Sequence, residues 1–383
     1  MLESLYLENF TAFAHADLRF APGLNVIIGQ NGTGKTHLLK LGYLFNRAWP
    51  DLMYKRTMLN QKRAEAYFEE RLLGLFQPNK LSHLIRRNSN QPCRIGAEVQ
   101  AFIPTVVIET EVDRAKRLAQ FPFGSLTEAL HWKLVVETTQ DVALSTTNAN
   151  LDAQILPDTA AVNAYVAKST FIPSKEIVSI YQGLIGLLER YEIKLDATYA
   201  DLARSMNSPE LASIPVLAAG VLAELEQDLG GKLVLEGNQL VFLTEHGERT
   251  EGPLMAEGFR KLATLIYLIR HGAIAEKGET LFWDEPESNL NPSYIRWVAK
   301  ALHWLAQAGL QVIVATHSLF FLRELEILLA QSASTSVQAR FFGLQQTDSG
   351  VAIEQGAHID DIGGFAALEE SLLQSDRYLA AEI

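Results

Sequence analysis

Cysteine is nearly missing from these 383 residues. Cys93 stands alone, which excludes an internal disulfide framework and a cysteine-rich zinc site and fits a reducing compartment. No apolar run reaches the ~18 residues that a membrane span needs. The opening Met1-Leu2-Glu3-Ser4-Leu5-Tyr6 lacks the basic start and apolar block of a signal peptide. Internal repeats, low-complexity linkers and sustained heptad arrays are also missing, and with them the pattern of a long coiled coil. Cations are in deficit: 33 Lys and Arg face 45 Asp and Glu, a net charge of −12. That balance argues against a surface uniformly wrapped in nucleic acid, because phosphate binding needs clustered Lys and Arg. What remains is 48% hydrophobic and 20% charged, too apolar for wholesale disorder and long enough for one large domain or two. A cytoplasmic globular protein without a membrane segment is expected.

The charge is uneven. Lys55 to Arg94 carries nine cations and three anions, leaving the rest of the chain at −18. This stretch is either a patch for DNA, RNA or an acidic partner, or a pair of solvated amphipathic helices. Its few aromatic residues (Tyr54, Tyr67, Phe68, Phe76) do not make a stacking platform.

Hydrophobic periodicity predicts short strands at 2–9 and 17–20 and an apolar strand Leu24-Asn25-Val26-Ile27-Ile28. A helix from Leu38 to Phe45 follows and stops before Pro50. Strands are expected at Ile95–Glu109 and Lys133–Thr138, with a polar loop at Ser145–Asn150 and then the segment Thr170-Phe171-Ile172-Pro173. Helices are expected near 176–190, 196–206 and 214–229, then a hairpin turning at Gly237-Asn238. From Gly258 the pattern alternates regularly: helix to His271, strand Thr280–Trp283, helix Pro292–Ala308, strand Gln311–Ala315, helix Leu319–Leu329. Two strands (Arg340–Leu344, Val351–Glu354) and an amphipathic helix near 365–379 complete it. Such alternation implies a largely parallel sheet with helices on its faces.

Three strand ends carry chemistry. Gly29-Gln30-Asn31-Gly32-Thr33-Gly34-Lys35-Thr36 fits G-x-x-x-x-G-K-[ST], a pattern that arises by chance in about one chain in a hundred of this length. Its glycines let consecutive N–H groups turn inward as an anion nest at a helix N-terminus. Lys35 would reach the β- and γ-phosphates, and Thr36 would offer its hydroxyl to Mg²⁺. Strand Leu281–Trp283 ends in Asp284, placed for the metal, and Glu285, placed to polarise a water for in-line attack. Alone, this pair reads as a helix-capping turn. Val312–Thr316 ends at His317, which either donates to the γ-phosphate, holds the attacking water, or is an ordinary capping residue.

The order GQNGTGKT, WDEPESNLNP, ATHS resembles the heads of ABC-type ATPases, with Walker A, Walker B, D-loop and His switch in sequence. The start, Leu7-Glu8-Asn9-Phe10-Thr11-Ala12-Phe13 leading to Phe20–Asn25, looks like the SMC, RecF and OLD branch. Within that branch it is most similar to short bacterial "AAA family ATPase" proteins. Ala256–Leu262, Phe171–Glu176 and Glu189–Glu192 carry the same likeness. The resemblance is specific over 1–46 and 253–330 and diffuse between.

It implies an α/β P-loop NTPase fold: an ABC-type head from 1–49 and 253–383, with a mainly helical lobe inserted at 50–252. It implies ATP and Mg²⁺ as ligands and a head-to-head homodimer sandwiching two ATP molecules. Each site would be completed by the partner's signature motif, here Ala256-Glu257-Gly258-Phe259-Arg260. That segment departs from the usual pattern, with Ala256 where a serine hydroxyl meets phosphate and Glu257 where a glycine stands. Arg260 or Lys261 either supplies positive charge there or is a solvated helix residue. Asn291 stands where a D-loop aspartate is usual. Gln77 and Gln100 are candidates for the Q-loop glutamine. Phe10 or Phe13 either contacts adenine or belongs to the core.

By the same resemblance the ATP cycle would regulate a DNA-processing, repair or anti-phage assembly, with a separate effector such as a nuclease or toxin. A transporter subunit and a non-hydrolysing scaffold are the alternatives. About 50 residues follow Leu329, and Asp360-Asp361 there reads as a capping turn rather than a nuclease centre.

Overall fold

The computed structural model describes residues 1–54, 61–87, 89, 91–102, 127–136, 142–146, 168–178, 180–191, 194–236, 239–331, 337–363, 373–374 and 376–381. Its strands are β1 (Leu2–Phe10), β2 (Phe13–Arg19), β3 (Leu24–Gly29), β4 (Cys93–Phe102), β5 (Thr127–Val136), β6 (Val142–Thr146) and β7 (Ser169–Ile172). They continue with β8 (Gly231–Glu236), β9 (Gln239–Thr244), β10 (Arg249–Glu251), β11 (Thr280–Asp284), β12 (Gln311–Thr316), β13 (Ala339–Thr347) and β14 (Gly350–Gly356). Its helices are α1 (Lys35–Tyr54), α2 (Gln61–Phe76), α3 (Tyr181–Arg190), α4 (Ala197–Met206), α5 (Val216–Leu229), α6 (Glu257–Arg270), α7 (Pro292–Gln307) and α8 (Leu319–Gln331).

Two sheets sandwich α1. The central sheet has the order β14-β13-β3-β12-β11-β7 and is parallel from β13 to β7, with β14 antiparallel on its edge. The outer sheet, β2-β1-β4-β5-β6, is antiparallel. Side chains alternate across the central strands with period two. Leu24, Val26, Ile28, Leu281, Trp283, Val312 and Val314 enter the core beneath α5–α8. Ile27, Phe282, Ile313 and Ala315 enter the core shared with α1 and the outer sheet. Burial on both faces is why these strands read as unbroken apolar runs. The Gln311 side chain locks the sheets together: its amide nitrogen donates to the carbonyls of Leu2 (2.7 Å) and Ala21 (2.9 Å), and Leu2 N donates to its carbonyl oxygen at 2.8 Å.

Several expectations need correction. Helix α1 does not stop before Pro50; it runs through it to Tyr54. A proline forfeits one backbone bond, but Ala48, Trp49 and Leu52 are buried around it and hold the helix together. The lobe expected over 50–252 does not separate as one body. Strand β4 pairs with β1, and β7 pairs with β11, because the exposed edges of those strands supply the backbone partners an inserted strand requires. The other described strands and α-helices of this region are α2, β5, β6, helices α3–α5 and the small sheet β10-β9-β8. Strand β6 begins before the loop expected at 145. Parts of the expected strand at 103–109, the turn at 237–238 and most of the helix at 365–379 lie outside the described residues.

Four of the seven described cations of the basic stretch are spent on internal bonds. Arg63 Nη2 donates to the Leu52 carbonyl (2.9 Å), Arg71 Nη2 to Asp201 (2.6 Å), Arg86 Nη2 to the Ser349 carbonyl (2.6 Å) and Arg94 Nη1 to Glu8 (3.0 Å). Lys62, Lys80 and Arg87 are exposed, and Lys55 and Arg56 lie outside the described residues. No helix among the described residues is long and apolar enough to cross a membrane. Cys93 is buried in β4, and burial pushes its thiol up to about 12, so it behaves as a core group.

Candidate functional site

Strands β3, β12 and β11 are parallel neighbours, with Ile27 beside Ala315 and Ala315 beside Asp284. Their C-terminal loops therefore share one edge of the sheet, where α/β folds bind ligands. The three predicted loops meet there, the first 248 residues before the second in sequence and the second 32 before the third.

The glycine loop wraps the start of α1. Gly32 and Gly34 have φ of 85° and 89°, left-handed values that a side chain would strain. A Cβ at Gly34 would stand 2.7 Å from Phe13 Cε2, so the buried Phe13 ring is the floor on which the loop rests. Phe10 is equally buried, edge-on to His37 and Phe76. Both phenylalanines are core residues and offer a base no exposed surface. The Thr33 hydroxyl donates to the Gln30 carbonyl at 2.8 Å and closes the turn.

Lys35 Nζ donates to the carbonyls of Gly29 (2.8 Å) and Gln30 (2.9 Å). Burial lowers the pKa of this ammonium, against the opposing pull of Glu285, Asp284 and Glu287. Thr36 Oγ1 donates to Asp284 Oδ2 at 2.9 Å. Asp284 Oδ1 is buried without a hydrogen-bond partner among the described residues. Burial pushes the Asp284 carboxyl up to about 6, with Glu285 adding repulsion and the Thr36 hydroxyl opposing it. A hydroxyl and a desolvated carboxylate with one orphaned oxygen are hard oxygen donors, and they fit Mg²⁺.

Glu285 sits directly beyond the strand with φ of 47°, and its N–H donates to the Ala315 carbonyl at 2.9 Å. Its Oε1 lies 3.2 Å from His317 Nδ1. Glu287, unrecognised as a site residue from sequence, is buried and ties two loops together. Its Oε1 accepts from Thr316 Oγ1 at 2.6 Å and from the His317 N–H at 3.3 Å, while Oε2 is buried without a partner among the described residues. The signal was present as a third carboxylate in Asp284-Glu285-Pro286-Glu287, though its partners lie 29 and 30 residues away.

The segment Ala256–Arg260 opens α6. Ala256 is the N-cap and makes no side-chain capping bond, and Glu257 is the first helical residue. A Cβ on Gly258 would meet Leu290 Cδ2 at 2.8 Å, so this glycine is needed for packing within its own chain. Arg260 is not a solvated residue: its Nη1 donates to the Met255 carbonyl at 2.9 Å and its Nε lies 2.8 Å from Glu176 Oε1. Lys261 is 2% exposed and bonds to the Walker B loop. Asn291 caps α7, its side chain accepting from Tyr294 N at 3.0 Å. Gln77 is exposed after α2, and Gln100 lies in β4 opposite Ala129 of β5.

Fold and loop order define a P-loop NTPase of the ABC-ATPase type. Residues 4–41 match a family model described as "AAA domain", and residues 214–323 match "AAA domain, putative AbiEii toxin, Type IV TA system". A DNA replication and repair protein RecF from Porphyromonas gingivalis is 31% identical over 122 residues, covering 29% of this chain and 33% of the relative. RecF from Renibacterium salmoninarum is 54% identical over 44 residues, 11% of each. A DNA double-strand break repair Rad50 ATPase from Thermoplasma volcanium is 33% identical over 87 residues, 23% of this chain and 9% of the relative. The aligned segments thus span about a third or less of the curated relatives. Among solved structures, an Smc head bound to the C-terminal domain of ScpA derived from Pyrococcus furiosus superposes with a TM-score of 0.51 at 12% identity, covering 98% of this chain and 99% of that one. An Smc head bound to the C-winged helix domain of ScpA gives 0.50 at 14%, covering 94% and 98%. In its fold and in the segments that match, the chain resembles the ABC-type ATPase heads of the SMC, RecF and Rad50 kind.

Proposed function

We propose that this protein binds and hydrolyses ATP, and that two copies close head to head over the nucleotide. The observation that supports this most directly is the convergence of Lys35, Thr36, Asp284, Glu285 and His317 at one sheet edge. The inward N–H groups of Gly29–Thr36 and the Lys35 ammonium bind the phosphates. With ligand present, Lys35 exchanges two loop carbonyls for phosphate oxygens. Thr36 and Asp284 would hold Mg²⁺, which supplies charge neutralisation on the phosphoryl oxygens when bound. Glu285 accepts the proton of the attacking water, and His317 orients Glu285 and the γ-phosphate. Ala256, Glu257, Gly258 and Arg260 of one copy face the nucleotide held by the other, where the α6 N-terminus contributes its positive dipole end.

The named relatives act in DNA replication and repair, which favours a DNA-associated assembly for this ATP cycle, read out by a separate effector such as a nuclease or toxin. A scaffold that binds ATP without cleaving it is the second reading, favoured by the absence of a hydroxyl at Ala256. Calorimetric ATP titration with Lys35→Ala, beside phosphate release with and without DNA, separates them. Loss of binding in Lys35→Ala and Mg²⁺-dependent release by the wild type support hydrolysis. Binding without release supports the scaffold, and intact binding by Lys35→Ala overturns both.

A further inference from the structure

The first turn of α6 reaches into three loops. Arg260 holds the Met255 carbonyl and the Glu176 carboxylate after β7. One residue on, the buried Lys261 Nζ donates to the Glu285 carbonyl at 3.0 Å and to Ser288 Oγ. Ser288 Oγ in turn donates to the Ser174 carbonyl at 3.3 Å, and Ser288 N donates to the same Glu285 carbonyl at 3.1 Å. Burying an ammonium carries a desolvation cost that an apolar residue on this helix would avoid. The Glu285 backbone is also left-handed, a conformation that a non-glycine residue keeps only where its surroundings hold it.

We propose that Lys261 is the positioning residue for Glu285. Its ammonium pins the Glu285 carbonyl, fixes the peptide in its left-handed turn, and so keeps the carboxylate beside His317. Because Lys261 belongs to the helix that begins at Ala256–Arg260, a shift of that helix is passed directly to the carboxylate. The segment that would meet the partner's nucleotide is therefore wired in cis to the hydrolytic group of its own site. A displacement of about 1 Å in such a group can cost of order a hundredfold in rate.

This inference rests on the hydrolytic reading of Glu285, and the experiment separates the two. In the full chain, Lys261→Met is expected to leave ATP affinity within about twofold and to lower kcat at least tenfold, since Lys261 bonds to the Glu285–Ser288 loop. In a Glu285→Gln background the same change should lower residual turnover less than about twofold, because both act through one group. Hydrogen exchange at Glu285–Leu290 should accelerate in Lys261→Met while exchange at Leu24–Gly29 stays unchanged. Wild-type kcat in Lys261→Met, losses that multiply with Glu285→Gln, or unchanged exchange at 285–290 would each overturn the proposal. If the wild-type chain cleaves no ATP, the hydrolytic reading falls, and the exchange measurement still decides whether Lys261 holds this loop.

Discussion

His317 Nδ1 lies 3.2 Å from Glu285 Oε1, although the two residues leave different strands, β12 and β11. With a carboxylate as acceptor, Nδ1 carries the hydrogen, and in that tautomer Nε2 is an acceptor for the O–H of a water. Glu287 fixes the other side of the same histidine, accepting its backbone N–H and the hydroxyl of Thr316. The histidine is thus held by two carboxylates from one loop, its ring by Glu285 and its backbone by Glu287.

Glu285→Gln keeps the shape of the side chain and an oxygen that accepts from His317, but removes the base. ATP binding should persist, turnover should fall by about a hundredfold or more, and ATP-bound dimers should accumulate in size-exclusion chromatography with light scattering. Unchanged turnover would remove Glu285 from its assigned role. His317→Ala should lower kcat by about tenfold or more with little change in ATP affinity, because it removes an orienting contact.

The three loops were legible because each follows an apolar strand and ends in residue types that a buried strand does not tolerate. Their assembly at one edge followed from the βα alternation. The pairings that make the site rigid were not legible. Lys261 finds Glu285 24 residues away and Glu287 finds Thr316 29 residues away, and no local spacing encodes either bond. The Arg-rich stretch looked like a surface because the acid that neutralises Arg71, Asp201, lies 130 residues downstream. Pro50 looked like a helix end because the burial of Trp49 and Leu52 that outweighs it is a tertiary effect. The pairing of β4 with β1 is likewise long-range, and a single sequence shows strands without their partners.

Asp201 is the acid at the centre of α1, α2 and α4. It accepts from Tyr43 Oη at 2.9 Å, Arg71 Nη2 at 2.6 Å and Arg204 Nη1 at 3.2 Å, with Arg47 Nη1 at 3.4 Å. Burial alone would raise its pKa, but Arg47 and Arg71 outweigh it and hold the carboxyl below its usual range. Asp201→Asn takes the counter-charge from the partly buried Arg71 guanidinium, while Arg47 keeps Asp51 at 2.9 Å, and should cost about 3 kcal/mol in urea denaturation. A loss below about 1 kcal/mol would show that the cluster is solvent-screened.

Gly258→Ala tests the cis role of the signature glycine. The new methyl would meet Leu290 Cδ2 at 2.8 Å and Tyr294 Cδ2 at 3.3 Å. The leucine end is mobile enough to give way, so the expected cost is about 1–2 kcal/mol. Because no nucleotide is involved, the denaturation midpoint of the ligand-free protein should fall. An unchanged midpoint alongside impaired ATP-driven dimerisation would instead place the glycine's importance wholly at the partner's site.

Glu279 gives a pH dependence with a definite sign. Its Oε2 accepts from Ala275 N at 2.7 Å and Glu276 N at 3.1 Å in the turn before β11. Burial pushes the carboxyl up to about 7, outweighing those N–H bonds and Lys168, while the Glu276 charge adds to the rise. The folded chain therefore holds this proton more tightly than the unfolded chain, whose carboxyl titrates near 4.5. The group's contribution to stability is fully present below that lower value and is lost as pH rises through about 7. Glu279→Gln keeps an acceptor for both N–H groups and has nothing to ionise. The variant should be more stable than the wild type at pH 8 by of order 2 kcal/mol, with the gap closing toward pH 5. Urea denaturation at four pH values measures it, and parallel stability curves for the two proteins would mean that water reaches the Glu279 carboxylate.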